Sequence, residues 1–142
     1  MKLSLVATTI FTLTLGLYTP KVTAAPIKTP KTFTEWCQQK ASLSKETKGT
    51  VEALLKVAKT QNCSQANQTL TKLTSLELWG NKISDIKPLS NLTNLTYLSL
   101  RENKISDIKP LSNLTNLTEV DLTKNPLIVK QCPLKPESIC KF

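Results

Sequence analysis

The residues of this chain best suited to molecular recognition recur at a fixed interval. Steps of 22 residues collect Ser75, Tyr97 and Glu119; Glu77, Ser99 and Asp121; Trp79, Arg101 and Thr123; and Gly80, Glu102 and Lys124. Aromatic rings and a guanidinium carry most of the energy of typical interfaces. Glu77, Glu119 and Asp121 would favour a basic group. No comparable set exists for catalysis. The chain has no histidine, and it holds no G-x-S-x-G elbow, phosphate loop or metal motif. Its four cysteines suit pairing rather than nucleophilic work. The expectation is a binding protein, not an enzyme, with no cofactor and no metal centre. A plainer reading of Trp79 and Tyr97 is that they pack on lysine stems or on a neighbouring cap.

What must position these groups follows from the repeat itself. Residues 81–96 read NKISDIKPLSNLTNLT, and residues 103–118 read the same letter for letter. Apolar residues within and beside it fall at Leu73, Leu76, Leu78, Ile83, Ile86, Leu89, Leu92, Leu95, Leu98 and Leu100. Most steps are three residues. On an α-helix each such step lags by about 60°, so five of them drift about 300° off the core face. A strand needs steps of two, which occur only at Leu76-x-Leu78, Leu98-x-Leu100 and Val120-x-Leu122. Pro88 and Pro110 also interrupt any regular helix. The remaining solution is a coil whose turns each hold one short strand, a bend and a 3₁₀-like return path. One turn cannot bury its own leucines, but stacked turns can.

The pattern L-x-x-L-x-L-x-x-N appears as Leu73 to Asn81, Leu95 to Asn103 and Leu117 to Asn125. With I-x-D-I-x-P-L appended, it resembles the 22-residue repeat of internalin-type leucine-rich-repeat proteins. The flanks, with Trp36-Cys37 and the closing CPLKPESIC, resemble those of small exported cyanobacterial repeat proteins. The resemblance implies an α/β solenoid: a short leucine-rich-repeat coil with a small parallel sheet, a helical N-terminal cap and a disulfide-closed C-terminal cap. It implies that Asn81, Asn103 and Asn125 are structural, bonding backbone groups that the bend leaves unpaired. It also makes the strand face the concave side, where such proteins usually bind proteins or peptides. Between the two copies the return paths are identical while the strand faces differ, so the strand face has the specific job. Asp85 and Asp107 read as turn-capping carboxylates; a calcium column would need more oxygens per turn than one carboxylate flanked by lysines.

The expected organisation is a signal peptide at 1–24, a flexible linker at 25–32, a helical cap at 33–70, repeats at 71–128 and a C-terminal cap at 129–142. Met1-Lys2, the apolar run Leu3 to Leu17, and Val22-x-Ala24 match a secretory signal cut after Ala24. The run is shorter than the roughly 20 residues of a spanning helix. Export to the periplasm or the medium fits four cysteines in a short chain. Four cysteines allow three pairings; Cys37–Cys63 and Cys132–Cys140 are favoured because each pair falls within one flanking segment. Within the first cap, Thr34, Thr50 and Ser64 are expected to start three short helices, and Trp36 to be core.

The formal charge is +9, and losing Lys2 and Lys21 with the signal leaves +7. Arg101 is the sole arginine, and no basic cluster tracks a phosphate backbone, so nucleic acid is not an expected partner. No later segment of the mature chain would span a membrane. A protein or peptide is the first expected ligand. A polysaccharide stacked on Trp79 and Tyr97, or a purely structural envelope role, is the alternative. The N-x-S/T triplets at Asn62, Asn67, Asn91, Asn94, Asn113 and Asn116 read as by-products of the repeat.

Overall fold

The computed structural model describes residues 30–142. The expected signal peptide, and the linker up to residue 29, lie outside the described residues. Three helices come first: α1 at Phe33–Gln38, α2 at Lys45–Ala58 and α3 at Cys63–Leu70. Strands β1 (Ser75–Glu77), β2 (Tyr97–Ser99), β3 (Glu119–Asp121) and β4 (Cys140–Lys141) follow, one per turn. They form one parallel sheet in the order β1-β2-β3-β4. The register is Ser75↔Tyr97↔Glu119, an offset of one full repeat.

Between strands the chain returns through 3₁₀ turns at Lys87–Leu89 and Lys109–Asn113, with Pro88 and Pro110 in their first turns. Proline suits that place because it fixes φ and needs no N–H partner. The step-of-three leucines and isoleucines all face inward: Ile83, Ile86, Leu89, Leu92 and Leu95 are buried, as are their counterparts one repeat on. Leu73, at the open edge of the first turn, is only half-buried. Each bend after a strand needs a left-handed residue, and Gly80, Glu102 and Lys124 supply it in one column.

Asparagine secures the stack. The Asn103 side-chain oxygen accepts from the Ile83 N–H at 2.9 Å, and its amide donates to Leu78 and Leu100 carbonyls, both at 2.8 Å. Asn125 repeats this with Ile105, Leu100 and Leu122. Asn81 differs. It is exposed and among the described residues donates only to the Trp79 carbonyl, because no earlier turn of the repeat lies beside it to offer backbone groups. A second ladder was not foreseen: Asn94 donates to the Thr71 carbonyl and Asn116 to that of Thr93, tying consecutive turns together.

The helices start elsewhere than expected. α1 is capped by Thr32 in a reciprocal box with Glu35, not by Thr34. α2 is capped by Ser44 and runs through Thr50 rather than starting there. Gly49, which weakens a helix by about 1 kcal/mol, disguises its first turns. Thr47 and Thr50 are buried against the first return path instead: Thr47 donates to the Asp85 carboxylate and Thr50 to the Asp85 carbonyl, each at 2.6 Å. α3 is capped by Asn62 rather than Ser64. Trp36 is core, at 6 % exposure. Disulfides join Cys37 to Cys63 and Cys132 to Cys140.

Candidate ligand-binding face

The columns read from the sequence lie side by side on the strands. β1, β2 and β3 place Ser75, Tyr97 and Glu119 in one row, and Glu77, Ser99 and Asp121 in the next. Beyond the strands the backbone ladder continues. Gly80 N–H donates to the Arg101 carbonyl and Glu102 N–H to the Thr123 carbonyl. Trp79, Arg101 and Thr123 therefore sit on paired backbone rather than on a loose loop. The alternate residues beneath them, Leu76, Leu78, Leu98, Leu100, Val120 and Leu122, are buried.

Exposure separates these residues. Trp79 is 60 % exposed, although its neighbours Leu78 and Leu100 are core. Glu77 and Arg101 are exposed, while Tyr97, Glu119, Asp121 and Thr123 are half-buried. Ser99 departs from expectation: at 7 % exposure it is buried. It is the smallest side chain of its row, on an inner strand between Glu77 and Asp121, and so offers a ligand almost no surface.

Charge on this face is largely paired. Lys124 donates to Glu102, and Arg101 Nε lies 3.6 Å from the same carboxylate. The Lys124 hydrogen bond, helped by the Trp79 indole N–H, holds the Glu102 carboxyl below its usual pKa. Burial pulls Asp121 up, but the Thr123 hydroxyl and N–H, with Arg101 and Lys141 nearby, bring it below its usual value. Glu77 has no hydrogen bond or ion pair among the described residues, and so is the carboxylate left for a basic group.

One contributor was missed. The C-terminal cap adds β4, which pairs Lys141 with Asp121 and extends the second row. Lys141 reaches Glu119 at 2.6 Å, and that contact raises the pKa of its ammonium. A two-residue strand has too short an alternation to be read in advance.

Stacked turns, parallel strands, 3₁₀ return paths and an asparagine ladder define a solenoid. The family profile described as leucine-rich repeats (2 copies) matches residues 71–113 and 93–136. The stack is thus a leucine-rich-repeat stack. No curated protein sequence matches the chain. Among solved structures it is similar to an internalin (inlF) from Listeria monocytogenes, at 31 % identity and a TM-score of 0.39. That match covers 56 % of this chain and 30 % of the internalin. Among the described residues, no helix is long and apolar enough to cross a membrane.

Proposed function

We propose that this protein is an exported scaffold whose strand face holds a short peptide segment of a partner. One observation carries the reading: a tryptophan stands 60 % exposed on hydrogen-bonded backbone beside an arginine and a carboxylate. Trp79 is the apolar anchor, Arg101 and Glu77 are the charged contacts, and Tyr97, Glu119, Asp121 and Thr123 form the floor. Two disulfides support export to the periplasm or beyond, since such bonds persist in oxidising compartments.

Size favours a peptide over a broad protein surface. Three strands at about 4.8 Å spacing, each presenting about 17 Å with its continuing backbone, and a fourth of about 7 Å give roughly 280 Å². A standard interface covers about 800 Å² on each partner. A flat exposed indole is also the platform a sugar ring would use, which makes a polysaccharide the second reading.

The test uses the two tryptophans. Trp36 is buried and Trp79 exposed, so quenching of fluorescence by added ligand reports on Trp79. Peptides are selected from a displayed random library on the wild-type chain and titrated into it, with xylan and chitin fragments in parallel. Trp79→Ala/Tyr97→Ala should weaken the selected peptides at least tenfold while leaving the melting temperature unchanged. Saturable quenching by the sugars alone would favour the second reading. Equal peptide binding by wild type and double variant would remove the strand face as the site.

A further inference from the structure

At the C-terminal end of the stack the repeat changes polarity. In 22-residue register, Ser84 and Ser106 are followed by Ile128, Asp85 and Asp107 by Val129, and Ile86 and Ile108 by Lys130. The backbone keeps this register at least to Ile128, whose N–H donates to the Ser106 carbonyl at 3.2 Å. Apolar side chains therefore stand where the repeat puts polar ones, and a lysine where it puts a core isoleucine. Ile128 is 82 % exposed and Val129 58 %. Filling the core does not explain them.

They border a cavity of about 620 Å³ beside the second return path, lined mainly by apolar surface. Ile128 and Val129 present exposed apolar side chains there, with Pro133 beside them and the buried Ile108 behind, and the lysines Lys109 and Lys135 stand on its wall. This volume lies within the roughly 300–1,000 Å³ of small-molecule sites. Lys135 is already paired with Glu137 at 2.8 Å. Lys109 has no ion pair among the described residues. Asp107, the one acid on the wall, accepts the Lys109 N–H at Oδ1 and keeps its charge, so the lining carries two ammoniums against one carboxylate. A half-open apolar hollow whose lining has an excess of ammonium, in a chain that carries +7 without its expected signal, favours an anionic head over a cationic one.

We propose that the cavity between the second return path and the C-terminal cap binds an anionic amphiphile, with its apolar body against Ile128 and Val129 and its acidic head against Lys109. The site is separate from the strand face and does not depend on the reading of that face.

The sequence supplies its own control. Lys87 is the repeat counterpart of Lys109, but it lies 3.7 Å from Asp85 and does not line the cavity. The full chain is titrated by calorimetry with dodecanoate below its micelle concentration, with dodecanol and dodecyltrimethylammonium as head-group controls. Wild type should bind one dodecanoate saturably. Lys109→Glu and Ile128→Ser should each weaken it at least tenfold, while Lys87→Glu and Trp79→Ala leave it unchanged. Lys109 and Ile128 are exposed, so both variants should keep the wild-type melting temperature, which is checked alongside. No saturable binding, equal binding of all three head groups, or equal loss in Lys87→Glu would overturn the proposal. So would undiminished binding in Ile128→Ser. Binding to phosphatidylglycerol vesicles without binding of dissolved dodecanoate would also overturn it, in favour of contact with a membrane surface.

Discussion

The two return paths at 81–96 and 103–118 have the same sequence and different surroundings. In the first, Asp85 is half-buried and held by Thr47 and Thr50 of α2. In the second, Asp107 is exposed and among the described residues bonds only the N–H of Lys109. Pro88 is buried and Pro110 only half so. The contrast reverses at the bends, where Asn81 is exposed and Asn103 buried. Both copies nevertheless form a 3₁₀ turn after the same isoleucine. The difference teaches that a repeat fixes its core and the place of its turn, whereas its place in the stack fixes which polar atoms are shared, hidden or left open, and even the backbone at Lys82, which is left-handed where Lys104 is not.

Identical substitutions in the two copies sharpen this. The largest contrast belongs to the bend asparagines. Asn103→Ala orphans the Ile83 N–H and the Leu78 carbonyl, while the Leu100 carbonyl keeps its bond from Asn125, and should destabilise by about 3 kcal/mol at 1–3 kcal/mol per buried orphan. Asn81→Ala should cost under about 0.5 kcal/mol, as exposed positions usually do. Urea unfolding of both variants checks the pair; equal losses would mean that the bend asparagine acts within its own turn.

The covers at the two ends come next. Cys37–Cys63 closes 26 residues and Cys132–Cys140 only 8. Loop closure predicts losses of about 3.5 and about 2.5 kcal/mol when each pair is replaced by serine. Thermal melts of the two double variants should show the N-terminal staple to matter more. The reverse order would mean that the β4 strand, which the second disulfide anchors, holds the stack closed.

A smaller contrast lies in the aspartates. Asp85→Ala removes a buried partner of Thr47 and should cost about 1.5 kcal/mol, against about 0.5 kcal/mol for Asp107→Ala. Comparable losses would show that only the local turn cap counts.

The smallest effect falls on the diversified face. Asp121 has a depressed pKa, so its contribution to stability is present above its unfolded value of about 4. It is lost as pH falls through the lower folded value. Thr123→Val removes the hydroxyl that donates at 2.6 Å. It should raise the Asp121 pKa and move the acid loss to higher pH, read from carboxyl carbon shifts in an NMR titration. An unchanged titration would assign the shift to the backbone N–H at 123, with Arg101 and Lys141, instead.

By itself the sequence determined the solenoid, its period and its core. Steps of three with one step of two per turn have no other way to bury Ile83 to Leu100, and that information is local. It also marked the bend asparagines, the outward columns and the pairing of cysteines within each flank. Only the tertiary structure decided what happens where a turn lacks, or gains, a neighbour. Asn81 has no earlier turn to bond, Ser99 is buried between longer side chains, and Thr47 and Thr50 face Asp85 from 35 or more residues away. Lys141 joins the face through a strand of two residues, and the cavity opens where the cap leaves the repeat. Each depends on which segments meet at the ends of the stack. Periodicity encodes the contacts of a residue with equivalent turns, but says nothing of a neighbour that is not a turn.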